Sequence, residues 1–173
     1  MISRGAIGVC SGDEVLQSKG GNNNTYCQDN DISYFNWKLV NKNKDFLEFF
    51  REMLDFRRKY ILTDDKQKIS IHGMQVWKPD FEYYNRQMGV LIEGKQDVYI
   101  ILNMHWDSHE FSLPTIKRGS TWNVLVNTAD INLPFKKEVV KVKNQRTISV
   151  EGRSCMVLIA KEDKKADVRK KKV

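Results

Sequence analysis

Asp13 and Glu14 are adjacent carboxylates, and they stand just ahead of Gly20-Gly21-Asn22-Asn23-Asn24-Thr25-Tyr26-Cys27-Gln28-Asp29-Asn30-Asp31. Three consecutive asparagines cannot be buried without many hydrogen bonds, and Asn tolerates turn and left-handed conformations. The stretch therefore reads as a polar loop held in shape by side-chain amides. Asn22, Asn23, Asn24, Tyr26, Gln28 and Asp29 present amides, a phenol and a carboxylate, a donor and acceptor set suited to a polar partner. The Gly20-Gly21 pair is not a nucleotide fingerprint, since both the G-x-G-x-x-G spacing and the P-loop ending are missing.

Other residues with chemical potential are weaker. His105 and His109 have the i, i+4 spacing of some helical zinc sites, but they bracket Trp106-Asp107-Ser108 between two strand candidates. That turn context spoils the helical geometry, so no metal is expected. His72 reads as ordinary strand polarity. Trp77 and Trp122 read as sandwich core, and Trp106, among polar neighbours, stays open as a ligand platform. Cys10, Cys27 and Cys155 are far apart and odd in number, with no C-x-x-C, so reduced thiols of a cytoplasmic protein are expected rather than a disulfide framework.

These residues must be positioned by two kinds of structure, which change over near residue 65. Before it lie an apolar strand candidate, Ile7 to Cys10, then the polar loop, then one strong helix from about Asn43 to Tyr60. In the helix Phe46, Phe50, Met53 and Arg57 fall on one stripe, widened by Leu47, Phe49, Leu54 and Phe56. Arg57-Arg58-Lys59 suit the negative end of its dipole and Asp45 and Glu48 the other. After Asp64-Asp65 eight short β-rich runs recur: Ile69–Val76, Met88–Ile92, Val98–Met104, Glu110–Leu113, Trp122–Val126, Val139–Val142, Thr147–Val150 and Cys155–Ile159. Turn residues separate them, a spacing that predicts an antiparallel sandwich, with Phe111 and Leu113 facing inward.

The bulk composition bounds the class. The chain has 173 residues, 40% of them hydrophobic, enough for a real core. No run approaches the roughly 20 apolar residues that cross a bilayer, and the N-terminal apolar patch is too short for a secretory signal. Membrane partners are not expected. The net charge is +7, of which residues 161–173 carry +4, with seven basic residues against three acidic ones. That segment reads as a disordered basic tail, and the rest of the chain is only mildly basic, so nucleic acid is not the expected partner.

Gly12-Asp13-Glu14 followed by Gly21-Asn22-Asn23-Asn24-Thr25-Tyr26-Cys27-Gln28-Asp29-Asn30-Asp31-Ile32-Ser33 resembles the pattern of isoamylase-type glycogen debranching enzymes, in the alpha-amylase superfamily of glycoside hydrolases. The likeness continues in Phe49 to Arg58, in Trp77-Lys78-Pro79-Asp80, in Leu102-Asn103, in Phe111-Ser112-Leu113-Pro114 and in Trp122 to Ala129. The asparagine loop is the specific part, and the later matches arrive in the family's order.

The resemblance implies a mainly β chain: a C-terminal antiparallel β-sandwich preceded by a remnant, the last strand and helix, of a (β/α)8 barrel. It divides the chain into a βα fragment of the barrel (1–64), the sandwich (65–160) and the basic tail (161–173). A complete barrel takes about 200 residues or more, so the family's nucleophile, general acid and third carboxylate are expected on a missing barrel segment. The adjacent Asp13 and Glu14 are not expected to flank one glycosidic bond, which needs carboxyls about 5–5.5 Å or 6.5–9.5 Å apart. The chain alone is thus expected to lack catalytic residues, cofactor and turnover. Asn22, Asn23, Asn24, Tyr26, Gln28 and Asp29 become expected contacts to glycogen or another α-glucan at the cleft rim. The α-1,6 branch linkages would be cleaved by residues of the missing part. A stand-alone α-glucan-binding sandwich is the alternative, and a basic-tailed nucleic-acid or ribosome-associated module a third.

Overall fold

The structure, a computed structural model, describes residues 1–61, 67–132 and 134–163. The chain divides into two compact units, Met1–Thr63 and Asp64–Val173.

In the first unit a short 3-10 helix, Asp13–Val15, precedes helices α1 (Lys38–Lys42) and α2 (Lys44–Tyr60). The expected helix is thus found within one residue. Its apolar stripe closes on Met53, Phe56 and Tyr60, which are buried together with the Arg57 side chain. Arg57 does more than face the helix dipole. Its guanidinium donates to the carbonyls of Met1, Ser3 and Gly5, with the Met1 oxygen at 3.1 Å. The Asn43 amide, at the start of α2, donates to the Val15 carbonyl at 2.7 Å and ties the 3-10 helix to α2.

The expected strand at Ile7–Cys10 is not formed. The segment carries no strand ladder, and Val9 is 46% exposed. A strand exists through pairing of its N–H and C=O groups, and no other strand lies among residues 1–61.

Among the described residues the second unit holds eight strands: β1 (Ile69–His72), β2 (Gln87–Ile92), β3 (Val98–Asn103), β4 (His109–Ser112), β5 (Ser120–Asn127), β6 (Phe135–Lys141), β7 (Thr147–Val150) and β8 (Ser154–Glu162). Each matches one of the eight β-rich runs. They form a six-stranded sheet in the order β1-β2-β3-β8-β5-β6 and a β4-β7 ribbon, with every pairing antiparallel. The two layers enclose Tyr99 and Ile101 of β3, Met156 and Leu158 of β8, Trp122 of β5, Phe111 of β4 and Val150 of β7. Phe111 and Leu113 point inward as the alternation predicts. The opposite face of the central strands is apolar too, and Val98, Ile100, Val157 and Ile159 are buried.

A register shift between Val124 and Val126 in β5 is a bulge, in which an extra residue turns the strand. It moves Val126 opposite Val157, and Leu125 and Val126 are both buried. Asn103, at the end of β3, is fully buried and donates its amide to the Asp107, Val150 and Glu151 carbonyls at 2.9–3.1 Å. That bond set locks the β3–β4 turn to the end of β7.

The β8 strand runs through Glu162, so the first two residues of the expected tail are strand, and Lys141 pairs with Asp163 at 3.0 Å. The remainder of the tail, 164–173, lies outside the described residues, as does the expected junction at Asp64-Asp65. Among the described residues no helix is long and apolar enough to cross a membrane.

Candidate functional site

Gly12, in the left-handed region at φ 104°, opens the turn that carries the two carboxylates. Asp13 Oδ2 accepts from the Cys10 N–H at 3.2 Å and Glu14 Oε2 from the Gly12 N–H at 2.9 Å. Both acids therefore brace the backbone of their own turn. They lie on a 3-10 helix rather than at a strand end.

Gln17 closes the next step. Its Nε2 donates to the Tyr34 carbonyl and its Oε1 accepts from the Asn36 N–H, both at 2.9 Å. One side chain thus clamps the loop's entry to its exit, and everything between bulges outward.

Inside the loop the amides mostly satisfy each other. Asn22 Nδ2 donates to Gln28 Oε1 at 3.1 Å. Asn22 Oδ1 accepts from the Asn24 N–H, and Asn24 Oδ1 from the Tyr26 N–H, at 3.0 and 3.1 Å. These are the local side-chain-to-backbone bonds that make Asn a turn residue. Asp29 accepts from the Tyr34 hydroxyl at 2.6 Å, and that bond, with Asp31 adding negative charge, raises the Tyr34 phenol above its ordinary pKa.

The result is a preformed loop with free faces. Tyr26 is 96% exposed, and Asn23 and Asn24 are exposed beside it. A cleft of about 490 Å³ opens along one side, lined by Asp13, Gln17, Lys19, Asn22 and Asn23 among others. Of the six expected contact residues, Asn22 and Asn23 lie on this cleft. Asn24, Tyr26, Gln28 and Asp29 shape the loop outside it. Gln17 and Lys19 were not foreseen, because nothing in their spacing signals a clamp or a cleft wall. The cleft is open and offers amides, a carboxylate and an ammonium group, able to hold hydroxyl-rich groups by hydrogen bonds but not to exclude water from a reaction.

In the second unit two sequence expectations are overturned. His72 is not surface polarity: it is 1% exposed, and burial lowers its pKa below the ordinary value. Its Nδ1 accepts from the Trp77 N–H at 2.8 Å, so the proton sits on Nε2, 3.0 Å from Ser70 Oγ. Trp77 is not core: it is 60% exposed, at a left-handed φ of 64°. Trp122 is core, and its indole N–H donates to the Pro114 carbonyl at 2.8 Å. His105 and His109 approach to 3.0 Å between Nδ1 and Nε2. Among the described residues no group of three or more His, Cys, Asp and Glu is placed to hold a metal ion.

No family model matches the chain. It is 42% identical over 190 aligned positions to the glycogen operon protein GlgX homolog of Mycobacterium tuberculosis, covering 91% of this chain and 26% of that protein. It is 33% identical over 135 residues to the chloroplastic isoamylase 1 of Oryza sativa subsp. japonica, covering 74% of this chain and 17% of that protein. The chain thus spans about a sixth to a quarter of the length of such curated relatives. Among solved structures, the type I pullulanase of Bacillus subtilis str. 168 complexed with maltose superposes at a TM-score of 0.63 with 16% identity. That superposition covers 86% of this chain and 20% of the pullulanase chain. At that identity the likeness carries the fold alone.

Proposed function

This chain is homologous to part of the isoamylase-type glycogen debranching enzymes, and from that premise we propose that it is the C-terminal segment of an enzyme that cleaves α-1,6 branch linkages in glycogen or a related α-glucan. In this reading residues 1–61 are the last strand-and-helix pair of a barrel whose other strands belong to the rest of the enzyme. Ile7–Cys10, without a ladder partner among the described residues, completes that barrel's sheet. The turn at Asp13-Glu14 and the asparagine loop then stand on the barrel's C-terminal rim, the face on which such barrels bind substrate. Asn22 and Asn23 offer amides along the cleft, and Tyr26 offers an exposed ring, for the hydroxyls and flat face of a glucose unit.

The chemistry belongs to the remainder of the enzyme. A retaining glycosidase needs an acid and a nucleophile about 5–5.5 Å apart across the scissile bond. Asp13 and Glu14 are instead committed to backbone N–H groups. The role of this segment is to stabilise the barrel and form part of the cleft wall.

One observation carries the proposal: 42% identity across 91% of the chain, against a relative of which it spans 26%. The test exchanges the matching quarter of that mycobacterial protein for this chain. Release of reducing ends from pullulan and glycogen limit dextrin is then measured for the chimera and for the chain alone. Turnover by the chimera with none from the chain alone is the expected result. Turnover by the isolated chain, or a folded chimera that never releases reducing ends, overturns the proposal.

A further inference from the structure

The β1–β2 connection, residues 73–86, holds five large apolar side chains in water: Met74, Trp77, Phe81, Tyr83 and Tyr84, from 41% to 95% exposed. Five such side chains within the 14 residues of one connection make it a candidate binding surface. We propose that this connection is an α-glucan-binding surface separate from the asparagine loop, with Trp77 and the Tyr83–Tyr84 pair as its stacking faces. The proposal rests on the α-glucan reading of the chain and adds a second site to it.

The connection has a braced backbone, and its Trp77 ring is packed in place. Trp77 adopts a left-handed backbone, which disfavours a side chain bearing a β-carbon. It is kept there by the buried His72, which accepts its N–H at 2.8 Å and packs edge-on to the indole at 4.6 Å between centroids. Gly73 closes the same turn by donating to the Lys78 carbonyl at 3.0 Å. A β-carbon at 73 would lie 2.4 Å from that oxygen. Local strain held by its surroundings is typical of ligand-contacting positions.

The second half is braced separately. Asn85 Nδ2 donates to the Asp80 and Gln87 carbonyls at 2.6 and 2.9 Å. Asp80 Oδ1 accepts from the Glu82 N–H, and the Arg86 guanidinium donates to the Tyr84 carbonyl. Tyr83 and Tyr84 meet edge to face at 5.3 Å, with Tyr83 95% exposed.

Charge and chemistry choose the occupant. Lys78 and Arg86 balance Asp80 and Glu82, so the segment offers no net field to a phosphate backbone, an anionic surface or an acidic peptide. The apolar part is mostly aromatic, and its rim carries Gln75, Lys78 and Asp80. Flat π faces beside hydrogen-bonding groups match a neutral ring that is apolar on its C–H face and polar at its edge. A pyranose is such a ring. The Trp77 indole, packed on His72 in advance, also reduces the ordering lost on binding.

The test uses the full chain in gels containing glycogen, with maltoheptaose titrated against intrinsic tryptophan fluorescence. Cellohexaose, a β-linked glucan, serves as control. Wild type is expected to be retarded by glycogen, and Tyr83→Ala to weaken retardation about ten-fold, as removal of an anchoring aromatic does. Trp77→Gly separates binding from folding: glycine accepts the left-handed backbone, so the melting temperature holds while retardation is lost. Lys143→Ala, exposed between β6 and β7, is expected to leave retardation in place. Absence of retardation in wild type overturns the surface, as does retention that survives both aromatic substitutions. Retardation lost in Asn22→Ala with Asn23→Ala but kept in both aromatic variants overturns this surface while leaving the proposed function intact.

Discussion

The phenolic oxygen of Tyr99 lies directly over Gly89 on the neighbouring strand, where a β-carbon at 89 would fall 2.2 Å from it. Tyr99 is fully buried, and among the described residues its hydroxyl has no hydrogen-bond partner. Burial pushes its pKa up to about 12. The ring fills the sandwich beside Trp122, 6.0 Å between centroids, at the expense of one unsatisfied polar atom. Gly89→Ala is expected to lower the unfolding free energy by about 1–3 kcal/mol, the range for overpacking. Tyr99→Phe is expected to raise it by about 1 kcal/mol, because an unpaired buried hydroxyl is removed without a cavity. Urea unfolding reads both as shifts of the midpoint at constant slope. A destabilised Tyr99→Phe would mean that the hydroxyl has a partner in solution.

Arg57 gives a second prediction, within the first unit. Its buried guanidinium gathers the carbonyls of Met1, Ser3 and Gly5 onto α2. Arg57→Met keeps most of the stem and removes the donors. Amide exchange at residues 2–8 is expected to accelerate, and stability to fall by about 2–3 kcal/mol, the scale of charge-assisted bonds. Amides of β3 and β8 are expected to keep their protection. Unchanged exchange at 2–8 would show that the segment is held by something else.

All eight strands were legible because each is a run of β-branched or aromatic residues ended by turn residues. Phe111, Leu113 and Trp122 were placed in the core by the same alternation. Trp77 was misread because tryptophan is usually buried and no local pattern encodes a left-handed φ; its position depends on His72, five residues earlier. His72 was misread because a lone histidine in a strand gives no sign of which face it takes. Ile7–Cys10 has the composition of a strand, but composition cannot supply the second strand that pairing requires. In the asparagine loop residue type revealed the self-bonded amides, whereas Gln17 acts across 17 and 19 residues of sequence. Contacts of that range leave no periodic trace.

The three cysteines separate by environment. Cys10 and Cys27 are exposed, whereas burial pushes the Cys155 thiol up to about 11. The reactive species is the thiolate. Native protein at pH 8 is expected to titrate two thiols quickly with a disulfide reagent, and the half-buried third more slowly. Cys155→Ser should leave the fast count at two. Three fast thiols would place the β8 end of the sheet in exchange with an open form.

His72 sets a pH dependence whose direction follows from its burial. Its ring is held neutral in the fold, with pKa lowered from the ordinary value of 6.5 by desolvation. Between the folded pKa and 6.5 the unfolded chain binds more protons than the folded one, so stability rises with pH across that window. The contribution of the neutral ring is therefore complete above 6.5. It is lost progressively as pH falls, until the folded-state pKa is reached. Protonation at Nδ1 also removes the acceptor for the Trp77 N–H, so the turn carrying the indole should loosen with the same titration. Urea midpoints from pH 7.5 to 5 are expected to fall in wild type. His72→Gln is expected to lower stability at pH 7.5 but flatten the slope below 6.5. A slope unchanged in His72→Gln would leave the buried ring without a role in the acid sensitivity.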